Sequence, residues 1–138
     1  IQIFNKYISK YPEDIFGYYM VSKSFAAIDS TGEKGLAVTP YMNTIQIGEA
    51  SADKEKVKAQ LVGSYKYFIE YYYNVQKRQD SALIYVDKAL ALDPTDAQLI
   101  SNREFISKND PKAQPKKQPA TKPKAPVPPK APATPNKN

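Results

Sequence analysis

The side chains in this chain best suited to chemistry are three close carboxylate pairs, Glu13/Asp14, Asp53/Glu55 and Asp93/Asp96. Neighbouring carboxylates can share a proton as an acid/base pair or hold a calcium ion. Each pair also sits where a helical hydrophobic period begins, and there a carboxylate caps free N–H groups and offsets the positive end of the helix dipole. Capping explains all of them without chemistry. None has the alternating Asp/Asn ligands and terminal Glu of a calcium loop, and no Gly-rich phosphate loop or dinucleotide fingerprint occurs. No metal and no cofactor is expected.

The chain has no Cys and no His. Disulfides, thiolate metal sites, the usual zinc chemistry, His-based acid/base catalysis and Ser-His-Asp triads are excluded. No catalytic residue is assigned and the chain is read as a non-enzyme, although an enzyme domain elsewhere in a longer protein would leave no trace here. Ile1 stands first instead of Met and no signal peptide is recognisable, so an upstream portion is expected to be missing. No run approaches the roughly 18 apolar residues of a membrane-spanning helix.

The net charge is +6, but residues 1–108 carry 13 Lys+Arg against 13 Asp+Glu, and residues 109–138 carry seven Lys against Asp110 alone. The excess therefore belongs to the tail. That tail holds nine Pro among its 30 residues, alternating with Lys and Ala, and has no hydrophobic pattern to offset chain entropy. It is expected to be disordered and polyproline-like. Three uses stay open for it. It can be a spacer, its lysines can touch nucleic acid, anionic lipid or wall polymer, or its prolines can dock in an aromatic groove of another protein. Nucleic acid is not expected to bind elsewhere.

The elements that must position any site are helices. Ile3, Phe4, Tyr7 and Ile8 mark a first helix over about 2–10, ended by Tyr11-Pro12. A second, apolar on more than one side, spans about 14–29. Ser30 and Glu33 match a capping box for a third over about 34–49, with Leu36, Ala37, Tyr41, Thr44 and Ile45 inward. Pro40 means that this helix either begins near it or kinks there. A long helix over about 54–77 repeats Leu61, Tyr65, Phe68, Tyr72 and Val75, and another over about 80–92, capped by Asp80, turns Ala82, Leu83, Val86, Ala89 and Leu90 inward. Thr95 and Gln98 suggest a capping box for a final, weakly amphipathic helix.

The helices share a ladder of spacings. Tyr73, Ala82, Val86, Ala89 and Pro94 are separated by nine, four, three and five residues; Ala37, Tyr41, Thr44 and Glu49 repeat the last steps, as do Phe4, Tyr7 and Pro12. Small residues let two helices approach closely while an aromatic or branched neighbour fills the adjoining space, and Pro ends the second helix. The pattern resembles the tetratricopeptide repeat (TPR), most strongly over residues 65–96, which end in ALIYVDKALALDPTD. Glu70 stands where that family usually has a small residue, and the copies are 37 and 45 residues apart.

This resemblance implies an all-α TPR-like solenoid of antiparallel helix hairpins over residues 1–108, with about six helices, followed by the disordered tail. It implies a scaffold that binds a protein or peptide. Ile3, Phe4 and Tyr7 are then expected to pack on a missing upstream helix. The first helix of each pair would line a peptide groove, which places Lys23 on one helix and Ser64, Tyr67, Tyr71 and Asn74 on another as groove residues. For Tyr67 and Tyr71 the stronger reading is ordinary packing against adjacent helices. Irregular, Tyr-rich repeats are similar to those of bacterial envelope-associated TPR proteins, which points to the periplasmic side of the envelope. The alternative, from another class, is a helical accessory module tethered by its basic tail to a polyanion.

Overall fold

In the computed structural model, which describes residues 1–109, the apolar periods fold as six α-helices, and no strand occurs among the described residues. They are α1 (Gln2–Lys10), α2 (Ile15–Ile28), α3 (Val38–Ala50), α4 (Lys54–Glu70), α5 (Gln79–Leu92) and α6 (Ala97–Lys108). Almost all of the Lys/Pro/Ala tail, residues 110–138, lies outside the described residues.

One carboxylate of each pair singled out by spacing starts a helix, whereas Asp93 does not, because it closes α5 as its C-cap. Asp14 accepts from the Phe16 N–H at 2.9 Å, Asp53 from Lys56 at 3.2 Å, and Asp96 from Gln98 and Leu99 at 2.9 and 3.1 Å. Each satisfies donors that a helix N-terminus leaves unpaired.

Other start signals misled. Ser30 and Glu33 form no capping box, because Gly32 and Gly35 take positive φ values of 73° and 66° and hold residues 30–37 in successive turns. The buried Asp29 carboxylate organises that loop by accepting from the N–H groups of Leu36 and Lys34. Helix α3 consequently starts at Val38, and Pro40 falls in its first turn, where its missing N–H costs nothing. Leu36 is left exposed instead of joining the inward set. Asp80 lies inside α5, whose N-cap is Arg78, and Asp96 takes the cap position anticipated for Thr95.

Each helix packs on the next in sequence, and α2 also reaches α4. The core joins Ile15, Ala37, Tyr41, Ile45, Leu61, Tyr65, Phe68, Ala82, Val86, Ala89, Leu99 and Ile106. Gly48 marks a close crossing: a Cβ built there would lie 2.6 Å from Leu61 and 2.8 Å from Ile15. Inside the same packing, Ser22 and Thr44 join hydroxyls at 2.9 Å, so α2 and α3 meet through a fully buried but satisfied polar pair.

Longer polar ties hold the later helices. Glu49 of α3 receives Lys88 of α5 at 2.9 Å and the Tyr65 hydroxyl at 2.8 Å. Burial works to raise the Glu49 carboxyl, yet these donors outweigh it and hold its pKa below the usual carboxylate value. Lys66 of α4 meets Asp96 at 2.6 Å, and Arg103 of α6 meets Asp87 of α5 at 2.7 Å. At the other end, the Tyr7 hydroxyl donates to Asp14 at 2.7 Å and its ring meets Phe16 edge-on, which fastens α1 to α2. Ile3 stays 78% exposed.

Candidate functional site

Helix α4 does not continue as an α-helix to residue 77. From Tyr71 to Val75 it widens into a π turn, with the Gln76 N–H reaching back to Tyr71 O at 3.0 Å, and it stops as Lys77 adopts a positive φ of 54°. A π turn inserts a residue into the helical ladder and redirects the side chains that follow. Tyr71, Tyr72 and Tyr73 each half-bury against a different neighbour. Tyr71 stacks on Tyr67, Tyr72 on Phe68 and Tyr85, and Tyr73 meets Phe105 edge-on.

Between the end of α4, the π turn and the loop after α2 lies a cleft of about 210 Å³. Tyr67, Tyr71 and Asn74 line one side, and Ala26, Asp29 and Gly32 the other. The positive φ of Gly32 brings its backbone against this wall, so that a Cβ there would lie 3.7 Å from the Tyr71 ring. Sequence spacing found the α4 side of the cleft. It missed the loop side, whose signal is the Gly32/Gly35 pair with its positive φ values.

The tyrosines form a stack. Tyr67 lies 4.2 Å from Tyr41 and 5.9 Å from Tyr71, centroid to centroid, at interplanar angles of 20° and 13°. Offset stacks of this kind stabilise beyond the area they bury, and they fix the rings. The Tyr67 hydroxyl is buried without a hydrogen-bond partner. Burial, then the neighbouring Tyr71 and Asp29, push its pKa up to about 12, so it stays a neutral donor at any ordinary pH. Tyr71, by contrast, has its hydroxyl engaged by the Gln76 amide at 2.9 Å.

The remaining groove residues fall elsewhere. Ser64 is fully buried and donates to Gln60 O at 2.7 Å, so it offers no surface to a ligand. Lys23 is exposed on α2, its ammonium 5.9 Å from the Tyr19 ring, and it does not line the cleft. Glu70, the departure from the small-residue pattern, is exposed and borders the cleft.

A larger cavity of about 540 Å³ lies between the α1–α2 turn and the start of α4, with Lys10, Glu13, Asp14, Lys56 and Gln60 in its wall. Its size alone would rank it first. Its best-placed carboxylate, Asp14, is already committed to Phe16 and Tyr7, and the lysines are exposed. Gln60 Oε1 in its wall is, like the Tyr67 hydroxyl, buried without a partner, so the smaller cleft is preferred for its fixed, stacked rings. Among the described residues no group of three or more metal-ligating side chains occurs, and no helix is long and apolar enough to cross a membrane. Comparison with protein-family models, curated proteins and solved structures finds no match to this chain.

Proposed function

We infer that the chain is a non-catalytic scaffold of tetratricopeptide-repeat type, a solenoid of helix hairpins that binds an extended protein segment. The equivalent ladder positions support the repeat reading: Ala37, Tyr41 and Thr44 in α3 and its N-cap, and Ala82, Val86 and Ala89 in α5, are all buried where consecutive helices meet. The observation that carries the binding reading is the Tyr41/Tyr67/Tyr71 stack, which fixes two rings of the cleft wall.

The cleft's size argues for a peptide. At about 210 Å³ it is smaller than the pockets of roughly 300–1,000 Å³ that enclose drug-sized ligands, and it suits one or two side chains of a longer segment lying across the surface. Stacked tyrosines present rigid apolar area at little entropic cost, as recognition surfaces do.

The test is selection of random displayed peptides on the full chain, followed by affinity measurement with Tyr71→Ala, Asn74→Ala and the distant Ile84→Ala. Peptides weakened about tenfold by the first two changes, equivalent to about 1.4 kcal/mol, and untouched by the third support the cleft. Selected peptides indifferent to Tyr71 and Asn74 sink it. The second reading, a module tethered by its tail, rests on the location of all the excess charge in residues 109–138. It requires binding to polyanions that weakens steeply with salt.

A further inference from the structure

A second groove, of about 200 Å³, opens where the end of α4 and the π turn meet α6. Ile69, Tyr73 and Phe105 give it an apolar wall, and Glu70, Asn74 and Asn102 supply polar groups. Phe105 is 57% exposed and meets Tyr73 with centroids 5.9 Å apart at 64°, leaving an open aromatic step. Helix α6 buries Leu99 and Ile106 in the core, whereas Asn102 and Phe105, at helical spacing, share a different flank. Aromatic rings beside amide donors are what a polyproline II segment needs. Its rings pack on the aromatics, and its carbonyls, unused within that helix, accept from the amides.

The chain leaves the described fold one turn beyond Phe105, where the Asn109 N–H bonds Phe105 O at 3.3 Å. Further along the sequence, Pro123, Pro126, Pro129, Pro132 and Pro135 recur at every third residue. Polyproline II turns once in about 3 residues, so this period would set one ring per turn along a single edge. We propose that the Tyr73/Phe105 groove is the docking site for this chain's own proline ladder, residues 123–135.

Reach and charge both allow it. The 14 residues from Asn109 to Pro123 span roughly 20 Å as a flexible chain and about 43 Å as polyproline II, ample to double back along α6. The tail carries seven Lys against Asp110, and Glu70 at the groove rim is an exposed carboxylate for Lys124 or Lys130. Tethering supplies an effective concentration of millimolar order, so a site too weak to hold a free peptide is filled by its own chain. Glu70 and Asn74 also border the Tyr67 cleft, so the docked ladder lies beside it and competes with a long ligand there. The docking itself does not depend on the peptide-binding reading.

The absence of Cys makes the test clean. Ala131→Cys in the full chain, between prolines and off their edge, takes one nitroxide label, and the amide signals are compared in the paramagnetic and reduced states. Selective broadening of Ile69, Tyr73, Asn102 and Phe105 relative to α1 is expected. It should vanish in a Phe105→Ala chain of unchanged circular dichroism and in a Pro126→Ala/Pro129→Ala/Pro132→Ala chain. Uniform broadening overturns the proposal, as does broadening that survives Phe105→Ala. Selective broadening seen only when a labelled chain is mixed with an isotope-enriched unlabelled one overturns it too, since the ladder then docks on a second copy.

Discussion

Removing a single buried oxygen, by Tyr67→Phe, should stabilise the fold without loosening the tyrosine stack. The ring keeps its stacks on Tyr41 at 4.2 Å and Tyr71 at 5.9 Å, so packing is unchanged. What disappears is a hydroxyl buried without a partner. Leaving such a group unsatisfied costs about 1–3 kcal/mol. Because the ring is only partly buried, the low end applies, and the variant is expected to be more stable by about 1 kcal/mol, a rise of roughly 4–8 °C in Tm for a domain of this size. Affinity for a cleft peptide should be unchanged, since the hydroxyl is too deeply buried to meet a ligand and the rings keep their place.

Tyr65→Phe provides the contrast. Its hydroxyl donates to Glu49 at 2.8 Å, and the Glu49 side chain is 46% exposed, so the expected loss is about 1 kcal/mol. Thermal and urea unfolding of the full chain, followed by circular dichroism, should place Tyr67→Phe above the parent and Tyr65→Phe below it. If Tyr67→Phe melts below the parent, its hydroxyl has a bonding partner in the free chain, and the argument for an unused donor fails.

Gly48→Ala should destabilise, because overpacking against Leu61 and Ile15 at 2.6–2.8 Å costs about 1–3 kcal/mol and outweighs a helix-propensity gain of about 1; a higher urea midpoint would contradict the close crossing. Gly63→Ala meets only the flexible ring end of Tyr19 and should be the milder change in the same titration. Asp96→Ala removes both the α6 cap and the partner of Lys66, so hydrogen exchange should show α6 amides losing protection ahead of α2–α4, and uniform loss would count against a separately pinned end helix. Alkali should unfold the chain. Burial raises the phenol pKa values of Tyr41 and Tyr67 to about 12 in the fold, so their contribution is complete below the unfolded value of about 10 and is lost as pH climbs toward 12. Phenolate absorbance and circular dichroism should then change together; full ionisation of the tyrosines with the helices intact would refute this.

Much of the fold was legible because helical periodicity reports burial directly. Tyr41, Thr44, Leu61, Tyr65, Phe68, Ala82, Val86 and Ala89 were placed inward by spacing and are buried. Capping was harder to read, since Ser30 and Glu33 have the right spacing but sit on either side of a glycine with positive φ, which no spacing rule detects. Ser64 went wrong for a related reason. Its polarity suggested a groove, but a hydroxyl can bond to the carbonyl four residues back, here Gln60, and be buried without penalty. Half of the cleft lies on a loop, and loops carry no period to read.

The tyrosine run at the π turn serves both candidate grooves. In a regular α-helix the residues of Tyr71-Tyr72-Tyr73 would point about 100° apart, and Tyr73 would continue the face of Ile69 and Glu70. The widened turn keeps these faces, with Tyr71 beside Tyr67, Tyr72 beside Phe68 and Tyr73 in one wall with Ile69. One lines the Tyr67 cleft, one stacks in the core on Phe68 and Tyr85, and one forms the aromatic step with Phe105. The same segment supplies a wall to both candidate grooves and anchors them to the core between. Tyr71 lines only the first and Tyr73 only the second, so the two should be separable. Tyr71→Ala is expected to abolish peptide selection and to leave the selective broadening around Phe105, with helix content preserved. Loss of both in that chain would mean that the grooves are built as one.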